Sequence, residues 1–131
     1  MKLQYSNANE MLYSRFDEMK EAYDNDEYGY DDVPHCFYSL EFVPYTLKQL
    51  EQNNNTEIKK IFDFVEVLFT EGDELTVNLV DVSFVESLYY DKIHENHKTS
   101  LLKHCGERTL QSFIECFSDE EKAEWDKPIV T

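Results

Sequence analysis

Two apolar stretches that flank Gly72 and Asp73 constrain the fold of this chain more than any other feature. The stretch at 74–90 is apolar nearly all round, so it is a central buried helix or a strand, and its length favours the helix. Gly72 makes the turn and Asp73 can cap the second helix. We expect an antiparallel helix pair here. The stretch at about 57–70 repeats large apolar side chains at helical spacing: Ile58, Ile61, Phe62, Val65, Leu68 and Phe69.

The remaining segments predict further helices. We expect them at about 7–23, after Pro44, at about 95–105 with Gly106 as the stop, at 108–117, and from a capping box at 118–121 to near residue 125. The stretch 36–43 is compatible with a strand or with a short buried helix. The expected fold class is mostly α. It is a single domain over 1–131, built as a helical bundle of about six helices, with one short strand or irregular segment near 36–43 as the open alternative.

The net charge limits the partners of this chain. Its 131 residues include 28 acidic and 12 basic side chains, which give a formal net charge of −16. Nucleic acids and anionic membranes are disfavoured as partners, because binding to phosphates needs clusters of Lys and Arg. A basic protein is the partner that the charge favours. The alternative is that the charge only keeps the protein from aggregating.

The acidic charge is concentrated in two segments, and both are candidate partner-binding surfaces. Segment 17–32 has eight acidic residues against one lysine, and segment 115–126 has six against one. Tyrosines lie among the acids of the first segment, and tyrosine is common at the energetic centre of protein interfaces. The leading candidate contacts are Asp24, Asp26, Glu27, Tyr28, Tyr30, Asp31 and Asp32, and the second group is Glu120, Glu121 and Trp125.

Two patterns resemble metal sites without completing them. A calcium loop counted from Asp24 has His35 at the position where the EF-hand pattern needs a bidentate Glu. His94 and His97 are three residues apart, whereas the zinc-protease motif separates its two His by four. We therefore expect no metal ion and no cofactor.

Motifs for catalysis and for membrane insertion are also missing from the sequence. It has no Gly-rich phosphate loop and no G-x-S-x-G elbow, so we expect no enzyme and no catalytic residues. No apolar run reaches the roughly 20 residues that span a bilayer, and the N-terminus lacks a signal-peptide core, so a cytoplasmic location is expected. The odd number of cysteines predicts reduced, buried thiols at Cys36, Cys105 and Cys116.

Two runs of the sequence resemble a known family. These runs are IFDFVEVLFTEGDELTVNLVDVSFVESL at 61–88 and LLKHCGERT at 101–109. They are similar to small, mostly helical immunity proteins of bacterial polymorphic toxin and contact-dependent growth inhibition (CDI) systems, over roughly 45–117. The resemblance transfers no catalytic residues. It implies a stoichiometric inhibitor of a cognate toxin, commonly a nuclease.

The charge and the resemblance lead to one functional hypothesis. The chain is expected to be a bacterial immunity protein that binds the basic C-terminal domain of a cognate toxin and covers its active site or substrate groove with an acidic surface. A regulatory adaptor that binds a basic host protein is the alternative from another class, followed by a carboxylate-dependent hydrolase. The residues are compatible with a monomer or a dimer.

Overall fold

The fold is all α. The computed structural model describes residues 2–27 and 29–128, and in these ranges the chain forms helices and no strands. The expectation of a mostly α fold is confirmed, with more helices than the six expected. The α-helices are α1 (Ala8–Tyr13), α2 (Asp17–Asp24), α3 (Pro34–Phe37), α4 (Val43–Glu51), α5 (Asn55–Glu71), α6 (Glu74–Val80), α7 (Ser87–Tyr90), α8 (Ile93–Asn96), α9 (Lys98–His104), α10 (Glu107–Glu115) and α11 (Asp119–Trp125). Two 3-10 turns lie at Tyr5–Asn7 and Tyr30–Asp32, and two π-helical turns lie at Tyr38–Phe42 and Asp81–Glu86.

The central helix pair lies where the sequence predicts it. The Asn54 side chain caps α5 by accepting a hydrogen bond from a backbone N–H of the first turn. After the turn at Gly72, Asp73 accepts a hydrogen bond from the Thr76 N–H at 2.8 Å, so it caps α6 as expected. A π-helical turn connects α6 directly to α7, so the chain is helical throughout 74–90. Helix, rather than strand, is therefore the correct interpretation of this apolar stretch.

The segment 36–43 is also helical, which decides between the two alternatives for it. A π-helical turn at Tyr38–Phe42 joins α3 to α4. Pro44 follows in the first turn of α4, as expected. Because proline has no N–H to donate and its ring crowds the carbonyl four residues earlier, it would disrupt a regular α-helix here. The wider π-helical turn accommodates the ring, so one helical stretch continues over 34–51.

The helix predicted at 7–23 is broken at Phe16, which separates α1 from α2. The Phe16 backbone is extended, with φ −131° and ψ 113°. Its ring is 1% exposed and packs against the rings of Phe42, Tyr45 and Phe64 at centroid distances of 5.4, 6.0 and 5.7 Å. Phe16 falls on the apolar stripe of the sequence, and this hides the break. Burial of the ring outweighs the local helical preference.

The helix predicted at 95–105 is divided into α8 and α9, and Gly106 directly follows the C-cap residue Cys105, with an extended rather than a left-handed backbone. α9 ends two residues earlier, and the extended backbone of Gly106 precedes α10. A Cβ atom at Gly106 would lie 2.3 Å from Cδ of Glu66 on α5. The Glu66 carboxylate accepts hydrogen bonds from the N–H groups of Arg108 and Thr109, so it caps α10 from another helix. A Cβ atom at position 106 would therefore have to displace the Glu66 side chain.

One contiguous core fills the centre of the bundle. The longest helix, α5, spans 17 residues and lies at the centre, with seven buried side chains. The rings of Phe42 and Phe84 stack at 4.8 Å and join the helical stretch 34–51 to the stretch 74–90. Across residues 2–27 and 29–128, no helix has both the length and the apolar content needed to cross a membrane.

The start of the described chain is joined to the turn between α5 and α6. The Leu3 N–H donates to the Glu71 carbonyl at 2.7 Å, and the Asp73 N–H donates to the Leu3 carbonyl at 2.7 Å. These bonds form an isolated parallel bridge between Leu3 and Gly72. The Tyr5 N–H also donates to the Asp73 carboxylate at 3.1 Å. Asp73 therefore caps α6 and holds the N-terminal segment at the same time.

Candidate partner-binding surface

The acidic segment between α2 and α3 forms a loop that hydrogen bonds within it and from α1 and α2 hold in place. Asn9 of α1 donates from Nδ2 to the Tyr30 carbonyl at 2.7 Å. The Tyr30 N–H donates to the Asp26 carboxylate, and the Tyr23 hydroxyl donates to the Asp31 carboxylate. Two of the predicted contact carboxylates, those of Asp26 and Asp31, therefore also fix the shape of the loop.

The predicted contact residues of this loop differ in exposure. Asp26 is partly exposed, and Tyr28 lies outside the described residues. Tyr30 is only 4% exposed, because its ring packs against Phe37 at 5.2 Å. This corrects the expectation that the Tyr30 ring is available to a partner, since burial of so large a ring belongs to the core. Four predicted contacts are exposed: Asp24, Glu27, Asp31 and Asp32.

Carboxylates from three elements converge around one depression beside this loop. We call it the acidic depression, and it has a volume of about 500 Å³. Lys48 is the single basic residue among the described residues that line it, and its Nζ lies 3.6 Å from Oε1 of Glu18. The sequence places Glu41 outside the acidic segment, so only the fold brings it here. The acidic residues of the lining are Glu18 and Glu21 of α2, Asp26 and Glu27 of the loop, and Glu41 of the first π-helical turn.

The second predicted group lies on α11, where its three members have different surroundings. Glu120 is exposed. Glu121 forms the expected capping box, in which its carboxylate accepts from the Ser118 N–H at 3.0 Å and its own N–H donates to the Ser118 hydroxyl at 3.1 Å. The Trp125 ring is partly buried against Phe117 at 5.3 Å. Of these three residues, Glu120 is the one whose side chain is fully available to a partner.

Glu121 also joins α11 to the segment that carries α7 and α8. The Tyr89 hydroxyl donates to Oε1 of Glu121 at 2.5 Å, and Nε2 of His94 lies 3.0 Å from Oε2. The hydrogen bonds from the Ser118 N–H and from Tyr89 lower the pKa of Glu121 to about 2. The bond to Glu121 correspondingly raises the pKa of Tyr89 to about 12. Glu121 is thus an ionised acceptor at neutral pH.

The same contacts assemble a group that sequence spacing did not indicate. His94, Glu95 and Glu121 each offer one potential metal-ligand atom, and these atoms all lie within 4.8 Å of one another. The group borders a cavity of about 710 Å³ that His97 and Trp125 also line. A spacing motif relates a histidine only to residues a few positions away in the sequence, whereas Glu121 lies 27 residues from His94. No short motif in the sequence signals this arrangement.

The three cysteines are free thiols, but they are not equally buried. Cys36 is exposed, because it lies on the outer face of α3, and this corrects the expectation that all three are buried. Burial raises the pKa of Cys105, with a further contribution from the nearby Glu66 carboxylate. Burial also raises the pKa of Cys116, to about 11. A thiol reagent should therefore react with Cys36 first, because the thiolate is the reactive form.

Comparison with known proteins gives one match. The family model described as "Domain of unknown function (DUF7674)" matches residues 9–126, which include every helix from α2 to α11. No curated protein and no solved structure matches the chain.

Proposed function

We propose that this chain, which belongs to the DUF7674 family, is an immunity protein. It acts in the bacterial cytoplasm, where it binds the basic C-terminal domain of a cognate toxin, of the nuclease class, and covers that domain's active site or substrate groove. The observation that carries this proposal is the acidic depression, where carboxylates from three elements face one volume. The net charge of −16 extends the same negative potential over the molecule.

Electrostatic complementarity supports a basic partner at this surface. A cluster of like charges raises the free energy of the unbound protein, and a Lys- or Arg-rich surface relieves that repulsion on binding. A nuclease groove is basic because it must accept phosphates, so an acidic surface can occupy the same groove. The sequence resemblance to immunity proteins of toxin systems gives the proposal its biological setting.

The carboxylates of this surface divide into two roles in the proposed complex. Asp26 accepts a hydrogen bond from the Tyr30 N–H and Asp31 accepts one from the Tyr23 hydroxyl of α2, so both carboxylates are held in place. Glu21 and Glu27 are exposed at the acidic depression, so they can contact Lys or Arg side chains of a partner without rearrangement of the loop. A preformed surface loses less conformational entropy when it binds.

Co-expression tests the proposal. The probe is the protein domain encoded directly upstream of this chain's gene, the position at which a toxin's C-terminal domain is encoded in such systems. We expect the domain to arrest growth when it is expressed alone, and we expect this chain to restore growth and to co-purify with it in a 1:1 complex. If the toxic domain arrests growth equally with and without this chain, the immunity function is refuted.

Charge variants then test the surface. The triple variant Glu21→Gln, Glu27→Gln and Glu41→Gln should slow association with the toxin domain roughly tenfold and reduce the effect of salt on the rate, because surface charges act mainly through the association rate. The matched control is Glu51→Gln, Asp91→Asn and Glu115→Gln, which removes the same charge from exposed positions that do not line the depression. Equal effects of the two triples would show that net charge, rather than this surface, drives binding.

A further inference from the structure

A second group of side chains, separate from the acidic depression, has the chemistry of a metal site. It consists of His94 and Glu95 of α8 and Glu121 of α11, and none of the three lines the acidic depression. We propose that these three residues bind one divalent transition-metal ion, for which Zn²⁺ is the natural probe. This inference does not depend on the proposed immunity function.

The distances between the ligand atoms favour a single ion. Two atoms that each lie about 2.1 Å from a tetrahedral ion are separated by about 3.4 Å. Nε2 of His94 and Oε2 of Glu121 are already 3.0 Å apart. The Glu95 side chain is exposed and can rotate to bring its carboxylate to the same point, since all three ligand atoms lie within 4.8 Å of one another.

The surroundings of His94 hold its ring in an orientation that suits coordination. Its side chain is only 7% exposed, between the rings of Tyr89 and Phe117 at 4.8 and 5.0 Å. Two aromatic neighbours hold the imidazole in one orientation, so little entropy is lost on coordination. Nε2 is the ring nitrogen that faces the proposed site, because it lies 3.0 Å from Oε2 of Glu121, whereas Nδ1 lies across the ring from that carboxylate.

The chemical types of the three ligand atoms indicate which class of metal ion the site would bind. One imidazole nitrogen and two carboxylate oxygens suit Zn²⁺ and the neighbouring first-row ions. Calcium takes six to eight oxygen ligands, and magnesium is bound through oxygens and water, so neither is matched by a buried imidazole.

The geometry leaves one side of the ion open. Three protein ligands would fill three positions of a tetrahedron, and the group borders a cavity of about 710 Å³ that has room for a fourth ligand. His97 and Glu124 line this cavity but do not belong to the group of three. They provide matched controls, because they have the same side-chain types in the same cavity.

Calorimetric titration of the chelator-treated full chain with Zn²⁺ tests the site. We expect one Zn²⁺ per chain and a rise in melting temperature on binding, while Ca²⁺ and Mg²⁺ give neither. Glu95→Gln should weaken Zn²⁺ binding roughly tenfold or more, and it should fold normally because Glu95 is exposed. His94→Gln should remove binding altogether.

The control variants decide between this site and general surface binding. His97→Gln and Glu124→Gln should each bind Zn²⁺ with the affinity of the wild type. If the wild type takes up no Zn²⁺, or if Glu95→Gln binds as tightly as the wild type, the site is refuted. A loss in the His97→Gln variant as large as that in Glu95→Gln would also overturn the assignment of ligands. Because Glu95→Gln keeps the buried histidine, a folding defect in His94→Gln would not prevent the decision.

Discussion

At the scale of single residues, Glu66 shows how one carboxylate can replace a local cap. It is half-buried on α5 and accepts hydrogen bonds from the Thr109 N–H and the Thr109 hydroxyl, both at 2.8 Å. The N-terminus of α10 has no side-chain cap of its own, since Gly106 precedes it. The partial positive charge of a helix N-terminus also favours a carboxylate there. Because glycine at 106 has no Cβ atom, the Glu66 carboxylate can come close enough to the N-terminus of α10 to accept these hydrogen bonds.

We predict that Gly106→Ala lowers the free energy of unfolding by about 1–2 kcal/mol, the usual cost of a lost helix cap. The new methyl group would displace the Glu66 side chain, which lies 2.3 Å from the Cβ position. The backbone at Gly106 has φ −72°, which alanine adopts readily, so strain does not contribute. Urea denaturation followed by circular dichroism measures the loss.

A double variant identifies the cause. In a Glu66→Ala background the obstacle is gone, so Gly106→Ala should then cost almost nothing. If Gly106→Ala costs as much in that background as in the wild type, the close approach of Glu66 is not the reason for the glycine.

At the scale of elements, the sequence predicts a helix well where it has an apolar stripe or a local capping residue. The stretch 57–70 has the stripe, 74–90 begins at the expected cap Asp73, and the capping box at 118–121 starts α11 as expected. Prediction from the sequence fails where a contact with a residue distant in the sequence determines the local structure. The break at Phe16 comes from burial of its ring, and the role of Gly106 comes from Glu66 of another helix. Neither partner is close in sequence, so no local pattern can indicate it.

The candidate sites show the same limit. The exposed carboxylates of the loop were predictable from composition, because a dense acidic segment cannot be buried. The sequence does not distinguish Tyr30 from the exposed tyrosines, because burial of the Tyr30 ring depends on its packing against Phe37. The meeting of His94 with Glu121 needs α8 and α11 to be adjacent in space. Such arrangements follow from tertiary packing alone.

α11 is held to the rest of the fold by a carboxylate whose charge depends on pH. The folded-state pKa of Glu121 is about 2, below its ordinary value of 4.5. As the pH falls, Glu121 is therefore protonated in the unfolded chain before it is protonated in the folded chain. The stabilisation from Glu121 is present above about pH 4.5 and is lost as the pH falls towards 2. We predict that Glu121→Gln lowers the melting temperature at pH 6 and that this difference shrinks as the pH approaches 2.

The fluorescence of Trp125 reports on this helix directly, because it is the single tryptophan of the chain and lies at the end of α11. Glu120→Gln is the matched control: it removes an exposed neighbouring charge, and its melting temperature should differ from that of the wild type by an amount that does not follow this pH window. A pH-independent difference for Glu121→Gln would contradict the assignment of the low pKa.

At the scale of the whole molecule, net charge works against compactness. The chain has 28 acidic residues and 12 basic ones, so repulsion among carboxylates exceeds what ion pairing can offset. Most of the Lys–Asp and Lys–Glu pairs among the described residues have both side chains exposed, for example Lys20 with Asp24 and Lys127 with Glu124. Exposed pairs of this kind contribute about 0–1 kcal/mol each.

We predict that raising NaCl from about 0.02 M to about 0.5 M increases the melting temperature by roughly 3 °C, because salt screens the repulsion. NaCl is preferred to sulfate, which strengthens apolar burial by itself. The variant with Glu21, Glu27 and Glu41 changed to Gln should respond less to salt, since it has three fewer negative charges. A melting temperature that falls with NaCl would mean that ion pairs outweigh repulsion in this fold.

The bridge between Leu3 and Gly72 sets an order for events during protein synthesis. Leu3 is made long before its partner, and at about 5–20 residues per second the interval is roughly 3–14 seconds. During that time the N-terminal segment has no turn between α5 and α6 to bind. Phe16 likewise lacks one of its packing partners until Phe64 of α5 is made, because the two rings pack at a centroid distance of 5.7 Å. The first two helices can therefore pack against residues 30–45 before α5 is made, but their packing is completed only after α5 has left the ribosome. A nascent chain stopped before that point leaves exposed the part of the Phe16 ring that Phe64 covers.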